Sequence, residues 1–380
     1  MPDDRIAADL LAYIDASPSP YHAVANGAAH LVEAGFDEHV GTPVRGAMPA
    51  RGFVRDGGLL VAWALADGDG DHRPWRIIGA HTDSPNLRIK PRPDLGGSGM
   101  RRLAAEPYGG ALLNSWLDRE ISTSGLLLDR QRHLNPVWGL GTPNEGDFSA
   151  WLADAVGAHP GDVLAWDVMC HDTTPSATLG LDGELISAPR LDNLCSSFGA
   201  LRALTTTGPT DAHLMIALFD HEEIGSETAT GAASPRLAQL LDAFGPADTA
   251  RSRILSADMA HGTHPNYPER HEPNHPIALG GGPVVKVNVN GRYATDAATN
   301  AEFVIACRDA GVPTQVYAHR ADLACGSTIG PITAARLGIA TVDVGMPQLS
   351  MHSARELMAT ADVAHMVTAF GAWLSARPSA

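Results

Sequence analysis

The chain has 380 residues, of which 44% are hydrophobic and 18% are charged, with a formal net charge of −16. This composition is typical of a globular protein, and the acidic balance argues against nucleic acid as a partner. No apolar run approaches the roughly 18 residues that a membrane helix needs, so we expect no membrane partner.

The cellular compartment is indicated by the N-terminus and the cysteines. The N-terminal residues are acidic and lead into a helical pattern, which is unlike a secretory signal. The four cysteines form no C-x-x-C pair, so neither a disulfide framework nor a thiolate zinc site is expected. These features predict a cytoplasmic protein.

Strands and helices alternate along most of the chain. Ser19 as N-cap and Pro20 at the first helical position predict a helix that runs to about Gly35. Apolar runs bounded by turn residues predict strands at 75–80, 213–219, 253–257, 284–289, 315–318 and 339–344. The sequence therefore predicts an α/β fold with a mostly parallel sheet covered by helices on both faces.

The segment 89–168 differs in character from the rest of the chain. It is rich in glycine and proline and irregular in pattern. We predict that it is a smaller inserted lid or dimerisation domain, and that 1–88 and 169–380 form the catalytic domain. Near the C-terminus, Ser353-x-x-Glu356 predicts a capping box for the final helices.

Candidate metal ligands follow the predicted strands or precede a helix. They are His81, Asp192, Glu222, Glu223, Asp258 and His352. Ligands in open α/β sheets bind at the carboxyl ends of the strands, so we expect these side chains to meet at one edge. Imidazole and carboxylate are the ligands that zinc takes when thiolates are absent.

So many ligands suit a two-metal site with a shared carboxylate. In this interpretation Glu223 binds a metal and Glu222 is a general base. Asp83 accepts a hydrogen bond from the ring of His81 and orients it. Each residue also has a simpler explanation taken alone: Asp192 as a helix N-cap, Asp258 as a turn residue and His81 as a loop histidine. His352 is predicted just before a helix N-terminus and could be a surface residue there. The spacing by itself leaves both explanations open.

Several short motifs occur in an order that resembles a known family. They are His81-Thr-Asp-Ser-Pro-Asn-Leu-Arg-Ile-Lys-Pro91, Arg190-Leu-Asp-Asn193, Asp220-His-Glu-Glu-Ile-Gly-Ser226, Ser256-Ala-Asp-Met-Ala-His261, His264-Pro-Asn-Tyr267, Cys325-Gly-Ser-Thr-Ile-Gly-Pro331 and Met351-His-Ser-x-Arg-Glu-Leu357. Together they resemble the aspartyl aminopeptidase family of dizinc metallopeptidases, over nearly the whole chain.

The resemblance implies roles for the predicted site residues. His81 and Asp258 would hold one zinc ion, Glu223 and His352 would hold the other, and Asp192 would bridge both. Glu222 would be the base. Two zinc ions per subunit are expected, with cobalt or manganese as candidate substitutes. The family also implies peptide substrates with a free N-terminus, and self-association into dimers with a dodecamer as a candidate final form.

The resemblance further implies a preference for an acidic N-terminal residue. Lys286, on a strand predicted to be half exposed, is the first candidate to pair with that acidic side chain. The alternative is a solvated strand lysine. Arg292 and Tyr293 are weaker candidates.

The chain departs from the family after Ser124-Gly125. Family members usually carry a longer insertion at this point, with a histidine-bearing strand of the lid domain. The sequence lacks that segment, so we predict a shortened lid.

Two alternative functions remain open from the sequence. The first is another amide hydrolase on the same dizinc scaffold, such as a carboxypeptidase or deacylase. The second is a metal-stabilised oligomer that binds peptides without hydrolysis.

Overall fold

The computed structural model describes residues 2–41, 44, 48–67, 72–117 and 129–377. The predicted departure at Ser124-Gly125 lies outside the described residues. The helices are α1 Pro2–Asp15, α2 Pro20–Glu33, α3 Asp147–Val156, α4 Leu191–Thr206, α5 Arg236–Phe244, α6 Ala297–Asp309, α7 Ile329–Leu337 and α8 Thr360–Ser375. None of the helices described combines the length and the apolarity that crossing a bilayer needs.

The strands of the described residues follow in chain order. They are β1 Asp37–Glu38, β2 Arg51–Asp56, β3 Leu59–Ala64, β4 Trp75–His81, β5 Asn86–Gly97, β6 Met100–Tyr108, β7 Val137–Leu140, β8 Ala177–Leu179, β9 Leu185–Ala188, β10 His213–Phe219, β11 Arg253–Ala257, β12 Ala260–His261, β13 Val284–Val287, β14 Gln315–Ala318, β15 Ala340–Gly345, β16 Pro347–Leu349 and β17 Glu356–Ala359.

The described residues divide into two compact units. The second unit comprises Pro85–Thr173 and His352–Ala354, and the first comprises the rest. The predicted insertion 89–168 falls within the second unit. Its role as a lid or in dimer formation stays a prediction.

The first unit is built on a nine-stranded sheet with the order β1-β2-β3-β10-β4-β11-β15-β13-β14. The four central strands β10, β4, β11 and β15 are parallel to one another. Antiparallel pairs occur between β2 and β3, β3 and β10, and β15 and β13. The predicted α/β class with a mostly parallel sheet is confirmed.

Helices cover both faces of this sheet because the strand residues alternate between two cores. In β10, Leu214, Ile216 and Leu218 join a core that includes residues of α1, α2, α4, α6 and α8. The intervening Met215 and Ala217 join a second core with residues of α5 and α7. This two-residue period is that of a strand buried on both faces.

Side chains cap two helix starts, and the predicted start of α2 is confirmed. The Ser19 hydroxyl accepts a hydrogen bond from the backbone N–H of His22, with Pro20 at the first position of α2. The carboxylate of Asp296 caps α6 and accepts a hydrogen bond from the backbone N–H of Thr299. Both are side-chain acceptors for helix N–H groups that have no partner within the helix.

The predicted capping box at Ser353 and Glu356 is wrong. Glu356 begins β17, and α8 starts only at Thr360. The carboxylate of Glu356 accepts a hydrogen bond from the backbone N–H of Asp192 rather than from its own turn. The prediction failed because the Ser-x-x-Glu pattern also occurs where the glutamate begins a strand and accepts a hydrogen bond from a distant segment.

The second unit is more regular than its composition suggests. β5 and β6 form a long antiparallel hairpin, and β7 pairs with β6. Pro91 and Pro93 fall in β5 where the pairing register shifts, between Ile89 and Asp94. β5 is an edge strand of this sheet, where proline is tolerated. The unit has its own hydrophobic core, which includes Phe148.

Candidate metal centre

Three neighbouring parallel strands deliver the predicted ligands to one edge of the large sheet. His81 is the last residue of β4, Glu222 and Glu223 follow β10, and Asp258 follows β11. The register pairs Phe219 with His81, so the ends of β10 and β4 are level. Asp192 lies at the start of α4. We call His81, Asp192, Glu222, Glu223 and Asp258 the ligand edge.

The ligand atoms of this edge lie close together in two groups. His81, Asp192 and Asp258 form one group, and His81, Glu222 and Glu223 form the other, each with its ligand atoms within 4.8 Å of one another. His81 Nε2 lies 3.5 Å from Asp192 Oδ1 and 3.9 Å from Glu222 Oε2. Ligands of a tetrahedral zinc ion at about 2 Å are about 3.3 Å apart. The first distance fits that geometry.

The orientation of His81 leaves Nε2 facing these carboxylates. Its Nδ1 lies 3.0 Å from the backbone oxygen of Asp83 and 3.4 Å from Asp83 Oδ1. Ligating histidines commonly donate their second ring N–H in this way. The hydroxyl of Ser197 donates to the backbone oxygen of His81 at 2.8 Å and fixes the end of β4.

The electrostatics of the edge favour a cation. Burial raises the pKa of Glu222 to about 8, and the carboxylates of Asp258 and Asp192 add to the shift. Burial likewise raises the pKa of Asp258, against the opposing charge of Lys286. Burial alone would lower the pKa of His81, but hydrogen bonds to Asp192 and Asp83 outweigh it and raise that pKa well above its usual value.

The negative charge of the carboxylates around His81 stabilises a proton on its ring, and the same charge would stabilise a divalent cation. Clustered buried carboxylates are stable only with such compensation. The donor set of imidazole and carboxylate fits zinc. The residues of the edge therefore pass the chemical and geometric test for a zinc site.

Asp83 does more than the sequence indicated. Its two carboxylate oxygens accept hydrogen bonds from the backbone N–H groups of Glu222 and Glu223, both at 3.1 Å. These N–H groups open a short 3-10 turn, Glu222–Ile224, whose N-cap His221 has a left-handed backbone with φ of 62°. One buried carboxylate thus connects His81 to the turn that carries both glutamates.

Asp192 is held by contacts that the sequence did not reveal. Its backbone N–H donates to Glu356 Oε2 at 2.9 Å, and its backbone oxygen accepts from the Ser84 hydroxyl at 2.6 Å. The side chain of the next residue, Asn193, donates to the backbone oxygen of Ala257 at 2.8 Å. No sequence signal marks these partners, because each comes from a distant segment.

His352 lies in the short segment His352–Ala354, which belongs to the second unit. Its backbone is left-handed, with φ of 67°. Its Nδ1 is 3.2 Å from the backbone oxygen of Gly110, and its backbone oxygen accepts from the N–H of Leu112. It is not at a helix N-terminus as predicted. Its role as a ligand stays a prediction.

Lys286 is buried, so the expectation of a half-exposed strand lysine is wrong. It lies in β13, which has a neighbour on each side in the sheet, and is only 4% exposed. Its Nζ is 3.7 Å from Asp258 Oδ1 and lies over the ring of Tyr293 at 5.6 Å. Alternating apolar and polar residues predict a strand, but the pattern does not show whether the polar face of the sheet is exposed to solvent or covered by other elements.

The other two substrate-binding candidates lie beyond Lys286. The hydroxyl of Tyr293 is 3.7 Å from Cys325 Sγ. Arg292 is exposed and lines an open cleft of about 850 Å³ together with Cys325 and His319. None of the described lining residues is aspartate or glutamate, although the chain carries a net charge of −16. We call this feature the cationic cleft.

The sequence profile of a peptidase family, "Aminopeptidase I zinc metalloprotease (M18)", matches residues 13–138 and 128–374. A relative from Streptomyces coelicolor, "Probable M18 family aminopeptidase 2", is 45% identical over 417 positions that cover 96% of each chain. One with the same description from Mycobacterium leprae is 46% identical, over 97% of this chain and 98% of the relative.

Solved structures of similar proteins have the same fold. The structure described as "Cryo-EM structure of the Ape4 and Nbr1 complex" has a TM-score of 0.91 at 29% identity, covering 98% of this chain and 86% of that one. The yeast structure described as "aminopeptidase 1 (Ape1)" has a TM-score of 0.80 at 25% identity, covering 98% and 97%.

The alignment with the Streptomyces coelicolor relative is longer than the chain itself. It spans 417 positions but covers 96% of the 380 residues, about 365, so about 52 positions (417 minus 365) are gaps in this chain. Family membership favours an aminopeptidase over the carboxypeptidase, deacylase and non-catalytic alternatives. The chain belongs to the aminopeptidase I zinc metalloprotease family, M18, and is a zinc-dependent aminopeptidase.

Proposed function

We propose that the protein removes acidic N-terminal residues from peptides, with two zinc ions at the ligand edge and Glu222 as the general base. The observation that carries this proposal is the buried Lys286, whose Nζ is 3.7 Å from Asp258 Oδ1 beside the ligand edge. A cation next to the ligands can pair with the carboxylate of a bound acidic residue.

The proposed ligands are residues of the ligand edge together with His352. His81 and Asp258 would hold one zinc ion, Glu223 and His352 would hold the other, and Asp192 would be shared by both. Bound zinc supplies Lewis acidity toward the peptide carbonyl and makes water more acidic. The residues of the chain then orient the substrate and move the proton.

Glu222 is suited to the proton transfer. A general base works best with a pKa near the working pH. Burial raises the pKa of Glu222 to about 8 in the metal-free protein, and the charge of bound zinc would lower it toward neutral pH. In the proposed mechanism its carboxylate takes a proton from the attacking water and passes it to the leaving amine nitrogen. Asp83 keeps Glu222 in position through the backbone N–H bond.

The cationic cleft supports the acidic preference. Its lining includes Arg292 and Cys325, and Cys325 Sγ is 3.7 Å from the hydroxyl of Tyr293, whose ring lies under Lys286 Nζ. Arg320 also lines the cleft, but its guanidinium is paired with Asp322 at 2.6 Å, so the attraction rests on Arg292. An exposed basic side chain at a cleft raises the local concentration of anionic peptides. Lys286 contributes specificity at the cleaved residue, and Arg292 contributes attraction at the rim.

The specificity is tested with chromogenic amides of Glu, Asp, Leu and Lys and with N-acetyl-Glu amide. We expect cleavage of the Glu and Asp amides, little cleavage of the Leu and Lys amides, and none of the acetylated compound. Preference for Leu would refute the acidic specificity and leave the aminopeptidase assignment intact.

We also propose that the chain self-associates, as one solved relative does. A relative described as "Structure of S. cerevesiae mApe1 dodecamer" is 25% identical with a TM-score of 0.83, over 99% of this chain and 98% of that one. Light scattering on the purified protein tests this directly. A dimer or dodecamer is expected, and a monomer at micromolar concentration would contradict it. The cytoplasmic location stays a prediction.

A further inference from the structure

A buried carboxylate outside the predicted ligand set lies against the ligand edge. Glu356 is 2% exposed, and its Oε2 accepts a hydrogen bond from the backbone N–H of Asp192 at 2.9 Å. Its other oxygen, Oε1, lies 3.4 Å from Nε2 of buried Gln348. A buried ionised group needs such partners to be stable.

The sheet register brings Glu356 to this position. β17 pairs antiparallel with β9, and Glu356 lies opposite Ala188, the last residue of β9. The chain then reaches Asp192 four residues later, at the start of α4. The strand ladder therefore fixes Glu356 beside the helix start, independently of any metal.

The start of α4 needs an acceptor at this point. Asp192 and Asn193 have non-helical backbone angles within the helix. First-turn N–H groups have no acceptor within a helix, and hydrogen bonds to a carboxylate are the stronger kind. With Ser84 on the backbone oxygen of Asp192, both main-chain polar groups of this residue are held.

We propose that Glu356 is a positioning residue for the metal centre. Its carboxylate fixes the main chain of Asp192, so that the side chain presents Oδ1 toward His81 Nε2 at 3.5 Å. The inference rests on the proposed role of Asp192 as a ligand. Partners that orient metal ligands typically change metal affinity by about 10–100-fold when removed.

The test measures zinc dissociation constants by competition with a chelator, for Glu356→Ala and Glu356→Gln. The alanine variant is expected to bind zinc about 10–100-fold more weakly. The glutamine variant should lose less, because its amide oxygen can still accept the N–H of Asp192. If the alanine variant does not fold, Glu356→Gln decides alone: weaker zinc binding than wild type supports the proposal, and wild-type affinity overturns it.

A matched control is Asp362→Asn. Asp362 is also a buried carboxylate that accepts backbone N–H groups, those of Gly280 at 2.7 Å and Gly282 at 2.9 Å. Those bonds hold a glycine loop and not a predicted ligand. We expect a lower unfolding temperature with unchanged zinc affinity. The same result for both Glu356 variants would overturn the proposal and leave Glu356 a structural residue.

A second arm separates this inference from the function on which it rests. Asp192→Asn should weaken zinc binding at least as much as Glu356→Ala. Unchanged zinc affinity in Asp192→Asn would show that Asp192 is not a ligand, and the proposed role of Glu356 would then be wrong as well. Substrate preference does not enter the zinc measurement, so failure of the acidic specificity leaves this test valid.

Discussion

The ligand edge and the cationic cleft are neighbouring regions that are built in different ways. The ligand edge is held from behind by Asp83, a buried carboxylate that accepts hydrogen bonds from the backbone N–H groups of Glu222 and Glu223. In the cleft, the cation Arg292 is an exposed side chain on a loop. Groups that bind a metal or move a proton must be held in fixed positions, so substitutions at the edge should change rate. Substitution of an exposed cation at the cleft should change substrate preference instead.

The largest effect is expected for Glu222→Gln. Loss of the proposed base should lower kcat by about 10²–10⁴-fold, because glutamine cannot take the proton. Zinc content, measured by atomic absorption, should stay at the wild-type value. Glu223→Gln is the matched variant and should lose zinc. Zinc loss from Glu222→Gln would contradict the division of roles between the two glutamates.

Asp83→Asn tests the hydrogen bonds that support the ligand edge. An amide group cannot accept both N–H bonds from the 222–223 turn, so the turn and His81 lose a common support. Zinc affinity should fall by about 10–100-fold in a chelator competition. Wild-type affinity in this variant would mean that the turn keeps its position without Asp83.

A change at the border of the two regions should alter preference more than rate. Lys286→Met should lower kcat/KM for the Glu amide by about 10–100-fold, which corresponds to about 1.5–3 kcal/mol for a charged hydrogen bond. Activity on the Leu amide should change little. Zinc content serves as the control, because Lys286 also contacts Asp258.

The matched variant Arg292→Gln should have a smaller effect. An exposed ion pair contributes up to about 1 kcal/mol, so we expect a loss of less than about fivefold on acidic substrates, and it should disappear at high salt. An equal loss in Lys286→Met and Arg292→Gln would contradict the distinction between the buried and the exposed cation.

The mildest perturbation is a change of pH on protein stripped of zinc. The pKa of Glu222 is raised in the folded state to about 8, so its contribution favours folding at low pH and is lost as pH rises from about 4.5 to 8. The raised pKa of His81 acts in the same direction. The unfolding temperature should fall over this range, and Glu222→Gln should reduce the slope. A rising unfolding temperature would contradict these shifts.

Much of the fold was predictable because its signals are local. The apolar runs of β4, β10 and β11 indicated the sheet. The polar residues at their ends indicated its ligand-bearing edge: His81 for β4, the glutamate pair for β10 and Asp258 for β11. What the sequence could not supply was contact between distant segments. Glu356 looked like a capping residue and instead accepts the N–H of Asp192, 164 positions away.

Burial was the second quantity that the sequence could not supply. Lys286 alternates with valines, as on a half-exposed strand, yet it is covered and lies beside Asp258. The hairpin of β5 and β6 was not predicted because β5 contains prolines, which argue against a strand in general but are tolerated in an edge strand. In each case the environment of the residue is set by neighbours that no local pattern records.

A crystal structure of the zinc-loaded protein, with data collected at the zinc absorption edge, tests the two-metal site most directly. We predict two anomalous peaks about 3.5–4 Å apart at the ligand edge, with Asp192 between them. One should lie on His81 and Asp258, and the other on Glu223 and His352. A single peak, or peaks away from Asp192, would contradict the two-metal site.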